Sequence, residues 1–134
     1  SVPHRLQLSR QGGRILLDDS YNSNKNGFKA ALDTLEMFKE LRILMTPGMV
    51  ELGEKQYSEN KEVGAYAADK CDYAVLVGRE QTKPIQDGLL EAGFARSRMI
   101  VVDSLQEAFQ MVNAIPDEKQ KVVLIENDLP DNYA

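Results

Sequence analysis

Five short apolar runs recur along this 134-residue chain: "RILLDD" (14–19), "LRILMTP" (41–47), "DYAVLVG" (72–78), "RMIVVD" (98–103) and "KVVLIEND" (121–128). No other feature restricts the fold as tightly. Each run is too short for a helix and rich in Val, Ile and Leu. Near-continuous rather than alternating apolar character suits strands covered on both faces, as in parallel sheets. The stretches between them have helical periodicity. In "NGFKAALDTLEMFKEL", Phe28, Ala31, Leu35 and Phe38 share one face, while Lys29, Asp33, Glu36 and Lys39 fall elsewhere. "SENKEVGAYAADKC" groups Val63, Tyr66, Ala67 and Cys71, although Gly64 costs about 1 kcal/mol in a helix interior relative to Ala. In "TKPIQDGLLEAGF", Pro84 sits near the first turn, where a missing N–H is no loss, and Ile85, Leu89 and Ala92 form the stripe. "SLQEAFQMVNAIP" has capping-box spacing at Ser104 and Glu107, a stripe of Leu105, Ala108, Phe109 and Val112, and Pro116 past its end. Strand and helix thus alternate, with room for a further short strand at "HRLQL". That order predicts the α/β class: an open, mostly parallel sheet with helices on both faces.

The length fits a single domain, residues 1–134, with "SVPHR" reading as the end of a linker from an upstream domain. A content of 43% hydrophobic and 28% charged residues excludes a disordered or collagenous chain. The net charge of -5 gives no electrostatic reason to approach nucleic acid or an anionic membrane. No apolar run nears the roughly 20 residues of a spanning helix, and no signal pattern opens the chain, so the cytoplasm is the expected location. Cys71 is the only cysteine, which leaves no internal disulfide and favours a packed thiol. His4 is the only histidine and falls in the expected linker, against a Ser-His-Asp triad or a histidine metal site.

In open α/β sheets, ligands bind beyond the carboxyl ends of the strands. That edge collects Asp18 and Asp19, residues 46–53, Gly78 to Glu80, Asp103 with Ser104, and Glu126 to Asp128. Asp103 and Ser104 read as helix-capping residues. Two readings stand for Asp18 and Asp19: a solvated pair, or acids awaiting a cation, a donor or a ligand hydroxyl such as that of a ribose. Asn22 and Asn24 after them suit a tight turn or a ligand clamp. Neither G-x-x-x-x-G-K-[ST] nor a G-x-G-x-x-G after the first strand is present, so the chain does not hold ATP phosphates in the usual ways by itself.

"LDDSYNSN", then the helix "FKAALDTL", then a strand leading into "GMVELGE", then "VGAYAADKCDYAVLVG", resemble in order and spacing the C-terminal domain of the Mur ligase family. The resemblance is closest to the branch that adds D-alanyl-D-alanine to a UDP-N-acetylmuramoyl-tripeptide. It runs from Arg5 to about Gly78 and continues more weakly to residue 126. It implies a Rossmann-like domain of an ATP-dependent amide ligase of peptidoglycan precursor synthesis. Upstream domains of the same chain would hold the UDP-sugar peptide and most of ATP and Mg2+, and this fragment alone would have no catalytic residue or metal of its own. In that family a substrate carboxylate is phosphorylated by ATP and then attacked by an amine. The resemblance implies nucleotide-binding roles for Arg5, Asp19, Tyr21, Asn22 and Asn24, with Ser20 in the same loop. It implies contact with the amine substrate, a D-amino-acid dipeptide or another amine, for Glu51, Leu52 and Gly53. Three positions depart from the family pattern. Lys25 stands at a usual proline or small residue, Asn60 at a usual histidine, and "LIENDLPDNY" replaces a lysine-glycine-serine segment. Glu126 and Asp128 there would reverse the local charge and disfavour a carboxylate ligand, which points to a paralogue with a different amine or carboxylate as the runner-up. From other classes, a phosphoacceptor receiver domain is opposed by Gly78 ending the third run and by the final run ending in Glu126 without a lysine, and a plain interaction module would bind no nucleotide.

Overall fold

All five apolar runs are strands, and the polar stretch ahead of the first supplies a sixth. The computed structural model describes residues 6–22, 24–116 and 120–127. In chain order the elements are β1 (Gln7–Gln11), β2 (Arg14–Asp19), α1 (Lys25–Glu36), β3 (Leu41–Thr46), α2 (Gln56–Ala67), β4 (Tyr73–Val77), α3 (Lys83–Glu91), β5 (Met99–Val102), α4 (Leu105–Ala114) and β6 (Lys121–Glu126). One sheet runs β1-β2-β6-β3-β4-β5, parallel except for the edge pairing of β1 with β2.

Strand alternation divides the side chains between two layers. Ile15, Leu17, Leu44, Leu76, Val122 and Leu124 face α1, α2 and α3. Met45, Val75, Val77, Val102 and Val123 pack under α4 on the other face. The helix stripes agree largely with the sequence pattern. Phe28, Ala31 and Leu35 are buried with Leu32 added, Phe38 is only partly buried, and Ala92 of the α3 stripe is exposed because that helix has ended at Glu91. The Ser104 hydroxyl caps α4 by accepting from Glu107 N–H at 3.1 Å, but the Glu107 carboxylate accepts from Asp103 N–H rather than completing the reciprocal box.

Gly64, unfavourable by propensity, has a packing reason. A Cβ there would lie 2.5 Å from the Ile85 carbonyl oxygen, and one on Gly88 would lie 2.1 Å from that of Lys61. The two glycines let α2 and α3 touch backbone to backbone, and tertiary contact overrides propensity. Cys71 is buried just beyond α2, its Sγ donating to the Ala67 carbonyl at 3.4 Å, and burial pushes its thiol up to about 12. It is an inert core thiol.

The last strand to be made, β6, lies between β2 and β3. Asp19 of β2 is consequently the register partner of Glu126, and Thr46 of β3 flanks Glu126 on the other side. Among the described residues no helix is long and apolar enough to cross a membrane.

Candidate functional site

Asp18 and Asp19 are adjacent in sequence but face opposite sides of the sheet. Asp18 is half-buried and its Oδ1 accepts from Ser20 N–H at 3.0 Å, which fixes the first residue of the loop. Asp19, 1% exposed, points with Ile15 and Leu17 toward the three-helix face. Its register neighbour on β6 is Glu126, which is buried on the same face of the sheet. Two neighbouring buried acids disfavour each other's ionised form. Burial raises the Glu126 acid far above the ordinary carboxylate range. The hydrogen bond and charge of Asp19 push the same way, while donation from the Asn22 amide acts in the opposite direction. Of the two acids expected to reverse the local charge, Glu126 is buried within the sheet and Asp128 lies outside the described residues.

Asn22 links the pair to the loop. Its Nδ2 donates to Glu126 Oε2, and its Oδ1 accepts from Asn24 N–H at 3.3 Å. The Asp19 carbonyl accepts from the N–H groups of both Asn22 (3.1 Å) and Asn127 (3.3 Å), so the ends of β2 and β6 and the loop between β2 and α1 converge on one residue. Gly27 makes room for this. A Cβ there would come within 2.3 Å of Asn22 Oδ1. Asn24 is the N-cap of α1, accepting from Gly27 N–H at 2.8 Å. Tyr21 projects into solvent, 89% exposed. Asp19 also lines a cavity of about 190 Å³ together with Leu6, Gly27, Ala30, Ala31 and Thr34. Lys25 opens α1 and pairs with Glu62 of α2 at 3.3 Å.

The β3–α2 loop, residues 47–53, lies at the same edge of the sheet and is held by amides. Asn60 is fully buried. Its Oδ1 accepts from Met49 N–H at 2.9 Å, and its Nδ2 donates to the carbonyls of Met49 (3.0 Å) and Gln56 (2.8 Å). Gln56 Oε1 accepts from Leu52 N–H at 3.2 Å, and Thr46 Oγ1 accepts from Gly48 N–H at 3.0 Å while donating to the Glu126 carbonyl at 2.8 Å. This frame holds Glu51 exposed at φ 63°, in a left-handed region uncommon for a residue other than glycine. Gly53 takes φ 59° beside it.

Asp19, Asn22 and Asn24 thus gather around one loop, and Glu51, Leu52 and Gly53 around another. Arg5 and Asp128 lie outside the described residues. Sequence reasoning placed Thr46 and Glu126 on the ligand-facing edge but gave neither a role, and it did not select Gln56 or Gly27; the partner of Glu126 was not readable because Asn22 and Glu126 are 104 residues apart.

Comparison with known proteins agrees with this frame. The family described as "Mur ligase, glutamate ligase domain" matches residues 4–126. The UDP-N-acetylmuramoyl-tripeptide–D-alanyl-D-alanine ligase of Haemophilus influenzae is 46% identical over 52 residues, which are 39% of this chain and 11% of that protein. Among solved structures, MurF from Acinetobacter baumannii superposes with a TM-score of 0.77 at 20% identity, covering 96% of this chain and 27% of that one. The Thermotoga maritima MurF ligase, solved in complex with ADP, gives 0.73 at 20% identity, covering 96% and 28%. At these identities the structures speak for the fold. The chain spans about a quarter of the length of these solved relatives, and its matched stretch about a tenth of the curated one.

Proposed function

The chain belongs to the Mur ligase family, and on that premise we propose that residues 1–134 are the C-terminal domain of an ATP-dependent ligase that joins D-alanyl-D-alanine to UDP-N-acetylmuramoyl-tripeptide. The observation that carries this reading is the family match from residue 4 to residue 126. Residues 1–5 would end the linker from upstream domains, which would hold the UDP-sugar peptide and the phosphates of ATP. The family resemblance would place Mg2+ with those upstream domains as well.

The residues present suit part of a nucleotide. The Asp19 cavity is smaller than the roughly 300 Å³ at which complete ligand pockets begin, as befits half a site finished by a second domain. Asp19 lies among the small side chains of Gly27, Ala30 and Ala31, so that a local opening of this cavity would offer its carboxylate to a sugar hydroxyl. The strained, amide-framed Glu51 is placed to meet an incoming amine. The contribution of this domain is positioning: carboxylate, phosphate and amine are brought together, and the entropy of their encounter is removed from the chemical step. Domain closure is the event that does it.

The test is steady-state kinetics of the intact protein with ATP, Mg2+, UDP-N-acetylmuramoyl-tripeptide and D-alanyl-D-alanine. Asp19→Ala should raise the KM for ATP about tenfold, and Glu51→Ala should chiefly raise that for the dipeptide. No amide formation by the wild type would overturn the reaction, and unchanged kinetics in both variants would overturn the site. A paralogue using another amine is the second reading, favoured by "LIENDLPDNY" standing in place of the family's lysine-glycine-serine segment. A panel of amines in the same assay separates the two.

A further inference from the structure

Gln56 has no part in the ligand contacts considered so far, yet it closes the tip that carries Glu51. We propose that Gln56 is a positioning residue for the amine substrate: its side-chain amide staples Met49 to Leu52 and so holds Glu51 in the left-handed backbone state that presents its carboxylate at the ligand-facing edge. The inference rests on the reading that Glu51 meets the amine, and it adds to that reading a residue on another element and the way it acts.

The geometry carries it. The carbonyl of the first residue and the N–H of the fourth are the groups that close an ordinary four-residue turn. In residues 49–52 both engage one side chain: Gln56 Nε2 donates to the Met49 carbonyl, and Gln56 Oε1 accepts from Leu52 N–H at 3.2 Å. Between these two bonds lie Val50, 52% exposed, and Glu51, exposed at φ 63°. Left-handed backbone crowds a Cβ against the following carbonyl, so Glu51 keeps it only while both flanks are fixed. The Met49 flank is fixed without Gln56. Its side chain is buried in the three-helix layer, and Asn60 binds both its N–H (2.9 Å) and its carbonyl (3.0 Å). Just ahead, the Gln81 amide holds the Pro47 carbonyl at 2.6 Å. The Leu52 flank is where Gln56 matters, since its amide is the acceptor that the Leu52 N–H finds among the described residues. Gln56 opens α2, whose backbone touches that of α3 at Gly64 and Gly88, so the staple refers the tip to a rigid pair of helices. Gln56 is itself only half-buried, and replacing it leaves the core in place.

The experiment measures KM and kcat of the intact ligase for ATP and for the amine that the wild type accepts, D-alanyl-D-alanine first, in wild type, Gln56→Ala, Gln56→Met, Glu51→Ala and each Gln56 variant combined with Glu51→Ala. Gln56→Ala should raise the KM for the amine about fivefold and leave that for ATP unchanged. Gln56→Met keeps the length and bulk of the side chain without its hydrogen bonds, and should do the same. In the Glu51→Ala background neither Gln56 change should add a further rise, because the staple acts through Glu51. A Gln56→Ala variant with the wild-type KM for the amine, a Met variant that restores it, an equal rise for ATP, or an undiminished rise in the Glu51→Ala background would overturn the proposal. Should the Ala variant fail to fold, Gln56→Met, alone and with Glu51→Ala, decides. A large effect of Glu51→Ala with both Gln56 variants silent would sink this inference and leave the amine reading standing. A silent Glu51→Ala, or a wild type that accepts no amine, would end both.

Discussion

Two loops at the same edge of the sheet are secured by different chemistry. The β2–α1 loop is tied through Asn22 to the buried carboxyl of Glu126, whose acid burial raises above the ordinary carboxylate range. The β3–α2 loop depends on Asn60 and Gln56, two amides that hold main-chain groups and have no proton to exchange. The first anchor is conditional on pH, and the second is not. A loop meant to meet one fixed partner gains from the second kind, whereas the first can be weakened by a single ionisation.

The largest expected effect tests the unconditional anchor. Asn60→Ala removes three hydrogen bonds and strands the buried N–H of Met49, whose carbonyl keeps its bond from Gln56 Nε2, and should cost about 3 kcal/mol at any pH, read from thermal unfolding of the intact protein. A loss that varied with pH would break the contrast between the loops.

The next effect concerns the carboxyl pair and has a definite sign. In the unfolded chain Glu126 ionises near its ordinary 4.5, whereas in the folded protein it holds its proton up to about 11. The folded state therefore binds the extra proton between those values. Its contribution is complete below about pH 4.5 and drains away as pH rises through that window. Glu126→Gln should flatten this slope and stabilise the protein by something on the order of 2 kcal/mol at pH 8. Equal slopes for both proteins would show that folding does not raise the Glu126 acid.

The smallest effect sharpens the geometry. Gly27→Ala gains helix propensity of about 1 kcal/mol but drives a methyl group against the Asn22 amide, so a net loss of about 1 kcal/mol is expected, together with a raised KM for ATP. In a Glu126→Gln background the same substitution should cost a similar amount, because the clamp is steric and does not depend on the proton. Strong coupling in the double-mutant cycle would count against that separation.

The pattern of elements was legible because it is local. "RILLDD" and "KVVLIE" have strand character whatever lies beside them, and the helix from Leu105 to Ala114 is announced by its own cap at Ser104 and by Pro116 beyond. Asn24 shows where local reading falls short: "SYNSN" marks a turn or a clamp, and only the backbone direction makes it the α1 cap. Adjacent acids at Asp18 and Asp19 suggested a pair that strand alternation in fact splits between the two faces. Asn60, visible only as a departure from a motif, is the buried frame of a loop.

From the sequence alone follow the order of strands and helices, the parallel sheet and the edge where ligands meet it, since each depends on patterns within about 15 residues. Tertiary structure alone decided which carboxyl Asp19 meets. The chain returns β6 to the centre of the sheet, and only there does Glu126 lose water, keep its proton and join Asn22. Desolvation and register are properties of the assembled sheet, and no stretch of residues read in isolation contains them.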